Sequence, residues 1–331
     1  MAAPGSRRPL LTPTPLRVLA GAIVFLAVLA FPLVFTNPFP RHVMITIFLY
    51  GMLAQAWNIL AGYCGQISLG HAVFFGTGAY TSTVLVRQLG LTPWAGMLAG
   101  ALLAVALSQV IGYPVFRLRG HYFAIATIAV GEIIQTLVIN WDWLGGARGL
   151  FVPIKRPDSF IQFQFNDSKQ TYYYIALGLL GFALLLTRWL TRSRTGYYFR
   201  AIREDQDAAA SLGIPVARYK QRAMALSAGL TAFGGTFYAQ YILFIDPESV
   251  FPLSLSILIC LVAVLGGVGT LWGPLIGAAI LVPLSEGTRI YLGGTGKAVD
   301  LLVYGGLIMV ISVIQPGGIM ALAQRGRRRM A

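Results

Sequence analysis

The run Gly62-Tyr63-Cys64-Gly65-Gln66-Ile67-Ser68-Leu69-Gly70-His71 lies within residues 42–86, which carry no Asp, Glu, Lys or Arg over 45 consecutive positions. A helix rises about 1.5 Å per residue, so this length can cross a hydrocarbon core of about 30 Å twice. The quoted run is too rich in glycine and polar groups for a helix that faces lipid. Irregular polar backbone at membrane depth is tolerated only where protein or water surrounds it. The stretch therefore predicts two membrane spans with a break between them. The polar break indicates a protein that conducts a solute or ion across the membrane.

The composition extends this reading to most of the chain. Of 331 residues, 56% are hydrophobic and 11% are charged, against about 25% charged in an average soluble domain. A β-barrel would show short alternating segments rather than long apolar blocks. The two cysteines, Cys64 and Cys260, both lie in apolar blocks, which indicates buried side chains and no disulfide. The sequence therefore predicts an all-α polytopic membrane protein.

The uncharged or nearly uncharged blocks predict about ten transmembrane helices, some of them short or broken. Their approximate bounds are 17–35, 43–61, 67–87, 94–116, 121–141, 171–190, 222–245, 252–266, 271–290 and 299–316. The uncharged block at 18–35 has no convincing small-residue cleavage site, so it is expected to be a first span and not a signal peptide. Residues 249–285 are slightly short for two full spans with a turn between them. One of that pair is therefore expected to be short, tilted or broken.

The distribution of basic residues predicts the orientation. With the N-terminus inside, 17 of the 25 Lys and Arg residues fall on the cytoplasmic side, as the positive-inside rule requires. This bias explains the net charge of +14 more simply than nucleic-acid binding does. It predicts a cytoplasmic segment at 1–16, a cytoplasmic loop at 191–221, an external loop at 142–170 and a basic cytoplasmic tail at 317–331. The tail's arginines, 325–329, are expected to face anionic lipid headgroups.

The loop at 191–221 has features of a helix that another protein could hold. Residues 199–212 are rich in helix formers, with acidic residues ahead of Ala208, Ala209 and Ala210. Gly213 is suited to a left-handed C-terminal cap, and Pro215 follows where a helix cannot continue. Small side chains let a second surface approach the backbone closely. The alternative is a solvated helical connector.

Four sequence blocks and this loop resemble one family. Asp207-Ala208-Ala209 followed by Gly213 resembles the EAA loop of ABC importer permeases, with Asp in place of the usual Glu. Residues 61–80, 122–127, 145–150 and 265–274 resemble, in the same order, blocks of the branched-chain amino acid ABC transporter permeases of the Liv type, LivM subfamily. The resemblance covers residues 60–316.

The resemblance implies a type II ABC importer permease fold in a bacterial inner membrane, and the distribution of basic residues predicts that both termini are cytoplasmic. It implies a LivH-like second permease subunit, two cytoplasmic ATPase subunits and a periplasmic substrate-binding protein as partners. The chain itself would be no enzyme and would bind no cofactor, since ATP and Mg²⁺ belong to the ATPases. The resemblance also implies which residues couple the chain to those ATPases: Arg203, Glu204, Asp207, Ala208, Ala209 and Gly213. The implied cargo is branched-chain amino acids. Urea, short amides and other amino or aromatic acids remain alternatives, because the binding protein mainly sets specificity.

A glycine repeat near the C-terminus predicts close helix packing. Gly269, Gly273 and Gly277 recur every four residues, which would place them on one face of a helix that begins near Gly269. Neither Gly266–Gly269 nor Gly296-Lys297 has the spacing of a phosphate-binding loop, so no ATP site is predicted. No constellation of catalytic or metal-binding side chains with usable spacing is found.

Three polar residues are candidates for the translocation path. Glu132 is the only acidic residue in the middle of a predicted span, and such a residue is a functional candidate by default. Ser68 and His71 lie about one turn apart after the glycine-rich break and could line a path for a zwitterion. For all three, as for Gln55 and Asn58, the alternative is a hydrogen-bonded structural role. A rival hypothesis, an ion-coupled secondary carrier or channel using Glu132, is disfavoured by the EAA-like loop and the four blocks.

Overall fold

The structure is a computed structural model that describes residues 15–35, 37–154, 158–165, 168–291, 305–306 and 318–320, and the described residues are mostly helical. The helices are α1 (Pro15–Val34), α2 (Pro38–Asn58), α3 (His71–Leu89), α4 (Pro93–Val115), α5 (His121–Ile139), α6 (Gln170–Arg192), α7 (Arg194–Glu204), α8 (Gln206–Ser211), α9 (Val216–Ile242), α10 (Pro247–Val250), α11 (Leu253–Gly266) and α12 (Gly273–Tyr291). Two short strands, β1 (Leu150–Phe151) and β2 (Phe244–Ile245), pair antiparallel. The prediction of an all-α polytopic fold is confirmed.

Nine of the ten predicted spans coincide with helices among the described residues. In the part of the chain that the structure describes, five helical stretches are both long and apolar enough to cross a membrane: Pro38–Tyr63, Pro93–Val115, His121–Ile139, Gln170–Arg192 and Pro247–Gly266. α3 and α9 are also long, but much of their surface is covered by protein, so they tolerate more polar side chains. The predicted span at 299–316, and most of the predicted segments at 1–16 and 317–331, lie outside the described residues.

One span is short and a break separates two others, as predicted. α11 has 14 residues, which is about 21 Å of helix and less than the hydrocarbon core. The stretch Pro247–Gly266 therefore reaches spanning length only together with α10. α2 passes into a π-helical turn at Ile59–Tyr63, and the chain then stays non-helical until α3 begins at His71.

The core of the bundle is built where glycines let helices touch. α9 packs extensively on α3 and α4, and α2 packs on α6 and α12. A Cβ placed on Gly78 of α3 would meet the carbonyl of Ala232, and one placed on Gly235 of α9 would meet the carbonyl of Phe75. Small residues at such positions let helix backbones approach closely, and van der Waals packing then holds the helices together.

The connecting segments gather at two opposite ends of the bundle. At one end, Arg203 lies against Gly65 and Gly269, and Arg119 forms an ion pair with Asp207. Gly65, Gly269 and Arg119 therefore lie at the same end of the bundle as the loop at 191–221, which is predicted to be cytoplasmic. At the other end β1 pairs with β2, and the Trp94 indole donates a hydrogen bond to the Phe160 carbonyl over 2.8 Å. The loop at 142–170, which is predicted to be external, lies at this end.

Candidate coupling and translocation site

The break between α2 and α3 is held by side chains of neighbouring helices. The Trp57 indole Nε1 donates a hydrogen bond to the Ser68 carbonyl at 2.7 Å. The Leu69 N–H donates to Thr127 Oγ1 of α5 at 3.0 Å, and the Ala72 N–H donates to Ser256 Oγ of α11 at 2.8 Å. These bonds supply partners to backbone groups that would otherwise be unsatisfied at membrane depth.

A second break, between α11 and α12, docks onto the first through Asn58. The Asn58 amide donates to the Thr270 carbonyl at 2.9 Å, and its Oδ1 accepts from the Gly269 N–H at 2.7 Å. Gly62 leaves the room for this contact, because a Cβ there would collide with the Asn58 amide and the Gly269 nitrogen. One side chain thus binds the two non-helical segments to each other.

Arg203 connects both breaks to the helices of the loop at 191–221. Its guanidinium donates a hydrogen bond to the Gly62 carbonyl at the end of the π-helical turn. The position that a Cβ on Gly65 would occupy lies 3.1 Å from Arg203 Cα, and a Cβ on Gly269 would meet the guanidinium itself. Since Arg203 belongs to α7, a displacement of α7 would act directly on both interrupted membrane segments.

The predicted loop helix at 199–212 is two helices in the structure. The chain becomes extended at Asp205, with φ −155° and ψ 120°, between α7 and α8. The Asp205 carboxylate accepts hydrogen bonds from the N–H groups of Asp207 at 2.8 Å and Ala208 at 3.0 Å. Bonds from these backbone donors, that of Ala208 foremost, lower the pKa of Asp205. A residue that caps a helix N-terminus has non-helical backbone angles, which explains the break.

α8 ends as the sequence predicts, at Gly213. Gly213 has φ +82°, its N–H donates to Ala210, and the Ile214 N–H donates to Ala209. This pair of bonds is the Schellman motif, which favours glycine because the position is left-handed. α8 is fixed to α9 by buried Lys220, whose ammonium donates to Gln206 Oε1 at 2.7 Å.

Most of the predicted coupling residues lie on the surface of α7 and α8. Glu204, Asp207, Ala208 and Gly213 are exposed, whereas Ala209 is buried beneath them. Next to Gly213, the apolar side chain of Leu212 is 81% exposed. The Asp207–Arg119 ion pair, at 3.0 Å, is largely in solvent and so contributes little to stability.

Ser68 and His71 lie in the interior of the chain rather than on an open surface. Both are fully buried. His71 Nε2 is 2.8 Å from Ser227 Oγ, whose hydroxyl donates to the Ala56 carbonyl at 2.7 Å. The His71–Ser227 pair is the hydrogen-bonded environment that the sequence leaves open as the alternative to a path-lining role. Gln55 is also fully buried, but among the described residues its side-chain amide has no hydrogen-bond partner.

Glu132 lies elsewhere, on the exposed face of α5. The apolar window of α5 is only 17% buried, the lowest fraction among the five long apolar helical stretches of the described chain. Ala129, Thr136 and Asn140 are exposed on the same face, at helical spacing from Glu132. The structure thus separates Glu132 from Ser68 and His71.

The glycine repeat is only partly helical. Gly273 and Gly277 face α11, since a Cβ on Gly277 would meet the Val262 carbonyl and one on Gly273 would meet the Gly267 carbonyl. Gly269 departs from the predicted stripe, because α12 begins at Gly273. It lies in the preceding turn with φ +78° and makes room for Arg203.

Several residues of this site escape sequence reasoning. Thr127, Ser227 and Ser256 bridge helices, and Lys220 is a buried cation. Their signal is a single polar side chain in an apolar block, which does not reveal the partner. No cluster of metal-binding side chains occurs among the residues that the structure describes.

Comparison with known proteins connects this architecture to a family of permeases. Residues 40–312 match the model of the family described as branched-chain amino acid transport system / permease component. The high-affinity branched-chain amino acid transport system permease protein LivM of Escherichia coli is 29% identical over 297 residues, covering 83% of this chain and 68% of the relative. The corresponding LivH of Salmonella typhimurium is 25% identical over 287 residues, covering 82% and 91%.

One solved structure also matches, that of PsaBC from Streptococcus pneumoniae in complex with Fab. The TM-score is 0.47 at 18% identity, covering 88% of this chain and 97% of that one. The family match spans most of the chain, from the first turn of α2 to beyond α12, and includes both membrane breaks and the loop that carries Arg203. The chain therefore belongs to the family of branched-chain amino acid transport system permease components.

Proposed function

We propose that this chain is a transmembrane permease subunit of an ABC importer for branched-chain amino acids. Its relatives from Escherichia coli and Salmonella typhimurium are named as permease proteins of high-affinity branched-chain amino acid transport systems. By analogy the chain pairs with a LivH-like permease, two cytoplasmic ATPases and a periplasmic binding protein. Family membership does not favour an ion-coupled carrier.

The contact of Arg203 with Gly62 and Gly269 is the observation that carries the coupling mechanism. The ATPases would hold the exposed surface of α7 and α8, where Ala208 leaves space and Leu212 offers an apolar contact. As the ATPases close and open, α7 would move both breaks together. Access would then alternate between the two sides of the membrane.

The translocation path is proposed to run along the uncovered face of α5. A carboxylate facing lipid is costly, so intramembrane acidic residues almost always face protein or a water-filled cavity. Glu132, Thr136 and Asn140 mark such a face. Buried Ser68 and His71 would reach the path only if helices separate during the cycle, so their role there stays a prediction.

The first test is to tag the chain, extract it in mild detergent and identify the co-purifying proteins by mass spectrometry. A second permease and ATPases are expected. The binding protein of the same system is then titrated with leucine, isoleucine, valine and urea to name the cargo. Recovery of the chain alone, still competent for uptake after reconstitution, would overturn the proposal.

A second test separates coupling from folding. Gly213→Val places a β-branched residue at a left-handed position with open space around it, so the expected effect is a distorted end of α8. Gly90→Val imposes the same backbone strain at the opposite end of the bundle, again with nothing within 4 Å. In proteoliposomes, Gly213→Val is expected to lower uptake per ATP hydrolysed, and Gly90→Val to leave that ratio unchanged. Equal ratios in both variants would contradict the mechanism.

A further inference from the structure

A basin opens at the end of the bundle opposite the coupling helices. It has a volume of about 720 Å³ and lies between the ends of α3 and α5 and the loop at 145–150. Arg119 lies just before the opposite end of α5, and the two ends of this 19-residue helix are about 28 Å apart. The basin therefore lies on the side predicted to be external, at the head of the uncovered face of α5.

Three charged side chains line the basin without neutralising one another. They are Arg87, Asp142 and Arg148, all exposed. Among the residues that the structure describes, none of the three forms an ion pair. The guanidinium groups of Arg87 and Arg148 can bind a ligand's carboxylate through charge-assisted hydrogen bonds. The carboxylate of Asp142 can accept hydrogen bonds from a ligand's ammonium group. This charge pattern complements the backbone end of a free amino acid.

The rest of the wall is partly apolar. Val84, Ile139 and the exposed indole of Trp143 line the same basin. Aliphatic side chains gain free energy when their surface leaves water for such contacts. The basin is therefore suited to bind a ligand that carries both charged groups and an apolar side chain.

Arg148 is held by a compact turn and not by a loose loop. The Arg148 N–H donates to Gly145 at 3.1 Å, and the Gly145 N–H donates to Asp142 at 2.9 Å. Gly149 has φ +73°, and a Cβ there would collide with the Ile245 carbonyl of β2. Only glycine fits this position, so the turn is anchored on β2 and keeps Asp142 and Arg148 in the same wall.

We propose that this basin is an entry site for the zwitterion of an aliphatic amino acid. The α-carboxylate would be held by Arg87 and Arg148, the α-ammonium group by Asp142, and the side chain by the apolar wall. This inference rests on the proposed function and extends it to a site on the permease itself. From the basin the ligand would pass Asn140, Thr136 and Glu132 along α5.

The test uses the complex of permease and ATPase subunits in right-side-out vesicles, without the binding protein. It measures how far a ligand protects a cysteine in the basin from labelling. Ala147→Cys, which lines the basin, is labelled with a membrane-impermeant maleimide at increasing concentrations of L-leucine. Gln88→Cys, also in the lining, serves if the first variant does not assemble. Ser168→Cys, exposed and outside the basin, is the control position. The unsubstituted chain, whose Cys64 is buried and whose Cys260 is partly buried, gives the background.

We expect leucine to slow labelling of the basin cysteine and not of Ser168→Cys. Isovalerate and isoamylamine, which each carry one of the two charges, are expected to protect at concentrations about tenfold higher. Adding Arg148→Gln or Arg87→Gln should raise the half-protecting leucine concentration about tenfold, whereas Lys169→Gln, an external cation outside the basin, should not change it.

The outcomes distinguish this site from the proposed function. Labelling that leucine does not slow, in a transporter with intact leucine uptake, would overturn the entry site alone. The same holds if the Arg and Lys variants behave alike, or if the basin cysteine is not reached from outside. Protection by leucine in a complex that takes up no branched-chain amino acid would instead refute the proposed cargo and leave the site standing.

Discussion

Arg203 is the residue on which the coupling proposal depends most directly. A hydrogen bond from a charged donor contributes about 1.5–3 kcal/mol, and this one joins α7 to the π-helical turn after α2. Arg203→Gln removes the charge and shortens the reach to Gly62. Uptake per ATP hydrolysed is therefore expected to fall about tenfold, measured in proteoliposomes that contain the whole complex.

Arg200→Gln is the matched control, one helical turn earlier. Arg200 bonds the carbonyls of Thr191 and Gly196, close by in the chain, rather than a membrane break. Its loss is expected to alter the stability of α7 and not the ratio of uptake to hydrolysis. If the two variants gave the same ratio, Arg203 would have no special role in transmission.

Single residues differ in how far sequence alone predicts their place. Gly213 and its cap follow from local chemistry, because a left-handed residue ends the helix and Pro215 follows it. The role of Asn58 does not, since its partners Gly269 and Thr270 lie more than 200 positions away. His71 shows the same limit. Its side chain contacts Ser227 of α9, and the sequence around His71 does not reveal that α9 packs there.

We expect α8 to depend on its N-cap, Asp205. The Asp205 carboxylate accepts two backbone N–H groups, and α8 has six residues. Asp205→Ala is expected to raise the rate of hydrogen exchange across α8, and Asp205→Asn, which also caps well, to preserve it. Mass spectrometry of residues 206–211 measures this. Similar exchange in the alanine variant and the native chain would show that packing on α9 holds α8 instead.

The same cap has a defined pH dependence. Folding lowers the pKa of Asp205 because the N–H groups of Ala208 and Asp207 bond its charged form. The cap's contribution is therefore fully present above the unfolded pKa of about 4 and is lost as the pH falls through the lower folded pKa. After correction for intrinsic exchange rates, α8 protection should stay constant at neutral pH and weaken only in acid.

Helix packing makes a separate prediction at α3 and α9. In Gly235→Ala the new Cβ would collide with the rigid backbone carbonyl of Phe75. Overpacking of this kind costs about 1–3 kcal/mol, so the detergent-solubilised protein is expected to unfold at a lower temperature. Gly178→Ala on α6, with nothing within 4 Å, should unfold no earlier than the native chain. Equal unfolding temperatures would mean that the two helices can shift apart without loss.

Elements were predictable where a long apolar block coincides with one helix, as in α4, α5 and α6. The division of residues 199–212 into α7 and α8 was not, because Asp205 is a helix cap in the structure but reads equally well as an acidic residue within a helix. The start of α12 was misplaced for a similar reason. A four-residue glycine repeat continues across a turn as readily as along a helix, and only the structure, where Gly269 has φ +78° and α12 begins at Gly273, distinguishes the two.

Within the described bundle, the exposed surfaces of α4 and α5 differ in chemistry. The exposed residues of α4 between Leu98 and Val110 are all apolar, which suits lipid. The exposed face of α5 includes Glu132, Thr136 and Asn140. Such polar and acidic side chains are not suited to contact with lipid. Sequence reveals the charge of Glu132, but only the fold shows that the described part of this chain leaves it exposed. We expect a partner subunit or a water-filled path to cover this face of α5 in the assembled transporter.

This difference predicts which helix meets the second permease. Ala129 and Ala106 are both exposed alanines, on α5 and α4 respectively. Ala129→Trp inserts a large side chain at the face of α5 along which the path is proposed to run. The second permease is expected to form the opposite wall of that path, and small residues let the two subunits approach closely there. Ala106→Trp inserts the same side chain toward lipid, where it can be accommodated. Pull-down of the tagged chain should recover less of the second permease with Ala129→Trp and an unchanged amount with Ala106→Trp, at equal expression. Recovery reduced by Ala106→Trp instead would place the subunit contact on α4 and contradict a path between α5 and the second permease.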